Sequence, residues 1–255
     1  MRMSIIPDDP AIPTVEVLDG SMPNVMARRG ATIELVFDKD GTSGWYDAPE
    51  VKESTTGRPQ SDGDYWPSRL TMSKRVVTIR AHAVQHDPGS SVELGRFNDL
   101  LNQLTGQPLT LLVEDQSGIR SSRGFLSAQT AWQSDLGYTS LTLIVTCPDP
   151  FKYGQVQSFA ASKGSIQAVN EGTAPTWPTI LVTGHVTRLS VAIDGHRTEW
   201  QGDTTNLTID MRDMIPSAGG IVVDDPMPLR PGRTDVTVQA DKGADVTLRM
   251  RPAWK

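Results

Sequence analysis

The chain has 255 residues, 37% of them hydrophobic, with 24 Lys and Arg against 30 Asp and Glu for a net charge of −6. That length gives one large or two modest domains, each able to bury a core, and the composition excludes a disordered chain or a coiled coil. A single cysteine excludes an intramolecular disulfide framework and a cysteine-only zinc site, and no apolar run reaches the roughly 20 residues of a membrane-spanning helix.

The opening, MRMSIIPDDPAIP, has no long apolar stretch, so neither a secretory leader nor membrane insertion is expected. Period-two alternation then marks strands at Thr14–Leu18, Thr32–Phe37, Arg75–Val84, Leu109–Asp115 and Thr139–Cys147. Each is rich in Val, Ile, Leu and Thr and is bounded by Gly, Pro or Asp.

Between the second and third strands lies a long polar stretch, residues 38–70. A loop of that length is usually functional or disordered. It holds Trp45, Tyr46, Arg58, Tyr65, Trp66 and Arg69. These residues read either as a lid over the loop's own small core or as a subunit or partner contact, since aromatic residues and arginine favour interface centres. The contact reading makes residues 42–66 removable without unfolding either β-domain.

One segment has helical rather than strand periodicity. Leu94, Phe97, Leu101 and Leu104 form a stripe within Ser90–Gly106. Ser90 with Glu93 makes a capping box, and Gly106 with Pro108 makes the stop.

After residue 150 the strands become short and closely spaced: TILVTG, HVTRLSVAIDG, HRTEWQG, TNLTID, GGIVVDD, DVTVQA and DVTLRMRP. That spacing predicts an antiparallel sandwich or barrel. The fold class expected is mainly β: an N-terminal β-rich domain with one helix over 1–149, and a C-terminal β-sandwich over 150–255. The joint is TCPDPFKYG. There Cys147 ends a strand, Pro148 and Pro150 remove backbone donors, Asp149 caps a turn, and Phe151 and Tyr153 anchor the linker.

No phosphate-cradling, dinucleotide, nucleophile-elbow or HExxH motif occurs. His82 and His86 share a strand face, with Asp87 beside them, but this is a thin metal set and reads better as surface histidines. DKDG (Asp38–Gly41) starts like a calcium loop, yet Ser43 and Pro49 stand where Gly and Glu are needed. Cys147 lacks a base and reads as a small buried hydrophobe. No catalytic residue, metal or cofactor is expected, and the protein is not expected to be an enzyme. The acidic balance argues against sequence-specific nucleic-acid binding. It is confined to residues 1–150, which carry 13 Lys and Arg against 19 Asp and Glu; residues 151–255 carry 11 of each.

The order of these pieces, with CPDPFKYG, NEGTAPTWP and LRPGRTDVTV followed by VTLRMRPAW, resembles the distal tail protein (Dit) family of long-tailed phages of actinobacteria. The resemblance implies a structural virion protein at the tail tip, assembled in the host cytoplasm. Its N-terminal belt domain builds a homohexameric ring around the DNA channel, and its C-terminal domain is a galectin-like sandwich. The implied partners are other copies of the chain, the tail tube, tail hub and tape measure proteins, and receptor-binding components. An acidic lumen would let DNA slide through the ring. Two alternatives stand beside this. One is another minor tail or baseplate protein of the same plan. The other is a carbohydrate-binding module with Trp177, Trp200 and Trp254 stacking on sugar, although HRTEWQG lacks the usual galectin arrangement of binding residues.

Overall fold

The computed structural model describes residues 1–19, 33–52, 55–67, 70–85, 91–129, 133–135 and 138–255. The chain divides into two compact units, Met1–Phe151 and Lys152–Lys255. It is mainly β, with one helix among the described residues.

The first unit contains β1 (Arg2–Pro7), β2 (Val15–Leu18), β3 (Ile33–Ser43), β4 (Val51–Lys52), β5 (Thr71–Met72), β6 (Arg75–Gln85), α1 (Ser91–Leu104), β7 (Pro108–Asp115), β8 (Gly118–Gln129), β9 (Gln133–Asp135) and β10 (Tyr138–Cys147). Seven strands follow the order β8-β7-β1-β2-β3-β6-β10, and β10 returns to pair with β8. The sheet therefore closes on itself, which satisfies edges that would otherwise recruit other chains. Its pairings are antiparallel except β2 with β3.

Alternation explains the closure. Met3 and Ile5 on β1, Val77 and Ile79 on β6, Leu109, Leu111 and Val113 on β7, and Leu141, Leu143 and Val145 on β10 all point into one core. The helix adds Leu101 and Leu104, both fully buried, with Phe97 packed alongside. Gly106 ends it at a φ of 78°, a left-handed conformation that suits glycine. Ser90, the expected cap, lies outside the described residues, as does the side chain of Leu94.

The second unit contains β11 (Lys152–Tyr153), β12 (Gln157–Ala160), β13 (Ser165–Asn170), β14 (Thr179–Ile193), β15 (His196–Asp210), β16 (Ile215–Pro216), β17 (Gly220–Val223), β18 (Gly232–Ala240), β19 (Asp245–Met250) and β20 (Ala253–Trp254). Its spine is the hairpin β14–β15. Asp194 and Gly195, with φ of 49° and 85°, form the tight two-residue turn that joins them. Here the structure corrects the sequence reading. TILVTG and HVTRLSVAIDG are one strand, and so are HRTEWQG and TNLTID. Gly184, at the break expected between those two short strands, instead sits at a bulge in β14, at a φ of 95°. Before the bulge β14 pairs with β19; after it, with β18. One long hairpin thus bends from one sheet into the other, the way sandwich corners are built. Ile180, Val182, Leu207 and Leu248 from one half meet Leu189, Val191, Val236 and Val238 from the other in a single core.

Candidate functional site

The stretch 38–70 is not a structureless loop. β3 continues through DKDGTS to Ser43, shifting register on β6 between Phe37 and Thr42. The chain then turns at Gly44, whose φ is 83°. A Cβ there would lie 1.9 Å from the Val76 carbonyl oxygen, so only glycine fits. The Gly44 N–H donates to Asp47 Oδ2 at 2.8 Å.

Trp45 follows, and its indole is 1% exposed in the core of the first unit. The sequence leaves it either in a lid over a small core or at a partner contact, the second being the position chosen for it. The structure makes it a core residue instead, because the turn at Gly44 aims it inward, where a large aromatic gains most from burial. Its neighbour Tyr46 remains 57% exposed. The Tyr46 hydroxyl donates to Asp115 Oδ2 at 2.8 Å and lies 3.1 Å from Met1 Sδ. Desolvation, reinforced by the Asp115 carboxylate, pushes the Tyr46 pKa up to about 12. Desolvation also acts to raise Asp115, but hydrogen bonds from Tyr46 and Ser117 outweigh it and hold the carboxyl below its ordinary value.

Arg75 holds this turn from beneath. The residue is 2% exposed. Its guanidinium donates to the carbonyls of Gly44 at 2.5 Å, Trp45 at 3.2 Å, Asp47 at 2.9 Å and Pro150 at 2.9 Å. The planar fork suits such a cradle, which a lysine cannot span. Burial lowers its pKa, opposed by Cys147 and Asp47. The sequence reading missed Arg75, although a signal was there. Period two places it on the same face as Val77 and Ile79, so a charged group had to be inside and partnered.

Beyond the turn the chain leaves the first unit's closed sheet as a narrow arm. Val51 pairs with Met72 and Lys52 with Thr71, and the Ser73 N–H donates to the Glu50 carbonyl at 2.7 Å. The described tip is a second hairpin. Tyr65 N–H donates to Thr56 O at 2.9 Å, Arg58 N–H donates to Gly63 O at 3.2 Å, and Gly63 takes a φ of 78°. Arg58 stacks 5.6 Å over the Tyr65 ring. Trp66 is 83% exposed, and Tyr65, Leu70 and Val51 are also largely open. Isolated two-stranded ribbons are marginally stable, and this one holds its apolar side chains out to solvent. The arm therefore brings Arg58, Tyr65 and Trp66 together, while Trp45 and Tyr46 stay at its root. Arg69 lies outside the described residues.

At the junction, Cys147 is fully buried in the first unit's core, and desolvation raises its thiol pKa. It is a packing residue, not a nucleophile. Pro148 is exposed. Asp149 Oδ1 accepts from the Phe151 N–H at 3.1 Å, an Asx turn. Pro150 is fixed by Arg75, and the Phe151 carbonyl accepts from Ser122 Oγ at 3.2 Å. Tyr153 belongs to the second unit, where Arg251 stacks 5.4 Å over its ring and donates to the Gly154 carbonyl at 2.8 Å. Phe151 and Tyr153 thus fall in different units rather than pinning the linker to one.

The histidines make simple pairs. His82 Nε2 lies 3.2 Å from Asp38 Oδ1, and its Nδ1 lies 3.0 Å from Ser140 Oγ. Ser140 sits in a regular strand paired on both sides, with His82 and with Gln133. His185 pairs with Asp203 and His196 with Asp225, each at 3.0 Å on the surface. His86 lies outside the described residues. Among the described residues, no group of three His, Cys, Asp or Glu side chains stands close enough to hold a metal ion.

No protein-family model and no curated protein matches the chain. Among solved structures, the Dit protein of phage SPP1, described as a paradigm of the hub adsorption apparatus in phages that infect Gram-positive bacteria, aligns with a TM-score of 0.65 at 18% identity. The alignment covers 88% of this chain and all of that one. Two chains from the phage P2 baseplate in its activated conformation, with Ca and with Sr, align at a TM-score of 0.47 and 7% and 8% identity, over 98% of each chain. Likeness at that level is too weak to support an argument, and the SPP1 alignment alone supports the fold. The chain has the fold of a phage distal tail protein.

Proposed function

We propose that this chain is a structural component of a phage tail tip, a distal tail protein that assembles into a ring around the DNA channel. The observation that carries this reading is the alignment with all of SPP1 Dit. The ring-forming part is the first unit. A sheet that closes through β8 and β10 leaves little edge beyond the three-residue β9, so neighbours are gripped by something that projects. The arm, described over 51–52, 55–67 and 70–72, supplies it, and Arg58, Tyr65 and Trp66 are the contact residues, seated on the next copy. Such head-to-tail contacts close into rings. The ring joins the tail tube to the hub, with the tape measure protein and DNA passing through, and the role is structural rather than catalytic. The second unit is the galectin-like sandwich that faces outward.

Mass photometry and negative-stain imaging of the purified chain, with and without Trp66→Ala, test this reading. A closed six-fold ring, or its dimeric or trimeric building blocks, lost in the variant, supports it. A strict monomer at high concentration overturns it.

A further inference from the structure

Three segments of the first unit meet at Arg75. It is the first residue of β6, so the returning leg of the arm re-enters the sheet through it. Its side chain holds the departing leg, with Nη1 donating to the carbonyls of Gly44 at 2.5 Å, Trp45 at 3.2 Å and Asp47 at 2.9 Å. Its backbone stands opposite Cys147, the last residue of β10, and its Nε donates to the Pro150 carbonyl at 2.9 Å. Residues 148–151 form the joint that leads into the second unit.

The chemistry of the group makes it a link rather than two separate clamps. A guanidinium is planar and rigid, so Nε and Nη1 move together. The residue is 2% exposed, so an acceptor lost on one side is not replaced by water. Its Nη2 is buried and makes no hydrogen bond among the described residues, so no third anchor fixes the plane independently. On the joint side, Pro148 and Pro150 have no N–H to offer. Carbonyls hold the stretch instead: that of Pro150 on Arg75, and that of Phe151 on Ser122 Oγ at 3.2 Å.

We propose that Arg75 couples the arm to the joint. A shift of the arm root tilts the guanidinium and weakens its hold on Pro150; a shift of the joint weakens its hold on residues 44–47. Such coupling has the same size read from either end. One consequence rests on the ring reading above: an arm seated on the next copy firms the joint of its own chain, so assembly is felt at the residues that lead into the second unit. The coupling itself stands without that reading.

The test is hydrogen exchange of the full chain, read by mass spectrometry over residues 44–52 and 147–153. Asp47→Ala loosens the arm root, because Asp47 Oδ2 accepts the Gly44 N–H. Pro148→Gly loosens the joint. Each change should raise exchange at the other segment about tenfold, the factor carried by one hydrogen bond of about 1.4 kcal/mol. In an Arg75→Lys background, which keeps the charge but cannot span both sides, both cross-effects should fall below about twofold while the local effects remain. Cross-effects that are missing with Arg75 in place, or that keep their size with Arg75→Lys, overturn the coupling. All chains carry Trp66→Ala, whose side chain is exposed, so the coupling is read whether or not the intact chain forms rings. Failure of the ring reading and failure of the coupling are therefore seen separately.

Discussion

Arg75→Met removes the guanidinium that four backbone carbonyls share and leaves a side chain of similar length in the same buried slot. The acceptors lie at 2.5 Å, 3.2 Å, 2.9 Å and 2.9 Å. A hydrogen bond to a charged donor is worth about 1.5–3 kcal/mol, but the bonds share one group and do not add. Removing one side of a buried charged network costs about 3–5 kcal/mol, because the carbonyls at 44, 45, 47 and 150 then lack a donor. Arg75→Lys keeps the charge but reaches fewer acceptors, so its cost should fall between, at about 1–3 kcal/mol. The assay is urea unfolding of the first unit, read by tryptophan fluorescence, together with amide exchange over residues 44–52. Exchange should rise at the arm root in both variants, more in the methionine one. A loss below about 1 kcal/mol for Arg75→Met, or equal losses for both variants, refutes the clamp.

Trp45→Ala should cost about 3–5 kcal/mol of stability, whereas Trp66→Ala should change stability by less than about 0.5 kcal/mol and abolish assembly; thermal melts and mass photometry separate the two. Cys147→Ser should cost no more than about 1–3 kcal/mol, since Ser122 and Arg75 lie beside the buried thiol, and should leave assembly intact. Tyr46 should ionise with a midpoint of about 12, seen as a late step in ultraviolet absorbance that Tyr46→Phe removes. Its raised pKa gives a contribution to stability present below the ordinary tyrosine pKa of about 10 and lost as pH climbs through about 12. The lowered Asp115 pKa gives one present above the ordinary aspartate pKa of about 3.9 and lost as pH falls through the lowered value.

Strands with clean alternation were legible from the residues alone. β6, β7 and β10 carry their inward Val, Ile and Leu at every second position, and α1 carries a stripe with a glycine stop. What escaped lacked that code. β8 buries Ser121 and Ser122 where apolar residues would announce a strand. β1 hides in a proline-flanked opening, and the tail of β3 is written in Asp, Lys and Gly. In β14, Gly184 serves a bulge rather than a turn, a choice made by the sheets on either side and invisible locally. The candidate contact site was half legible. Exposed aromatics in the arm stood out, but Trp45 could not be told from Trp66 without knowing that Gly44 turns one inward. That also moves the dispensable segment: residues 42–47 are structural, so a deletion that spares the fold must begin beyond Lys52.

If the arm makes the ring, removing it must abolish assembly and spare the fold. The most direct measurement is negative-stain imaging of the purified chain beside a version with residues 55–67 replaced by a short Gly-Ser linker. The expected result is closed rings from the intact chain and folded single chains from the replacement. Rings that persist without the arm, or an intact chain that never leaves the monomer, would contradict it.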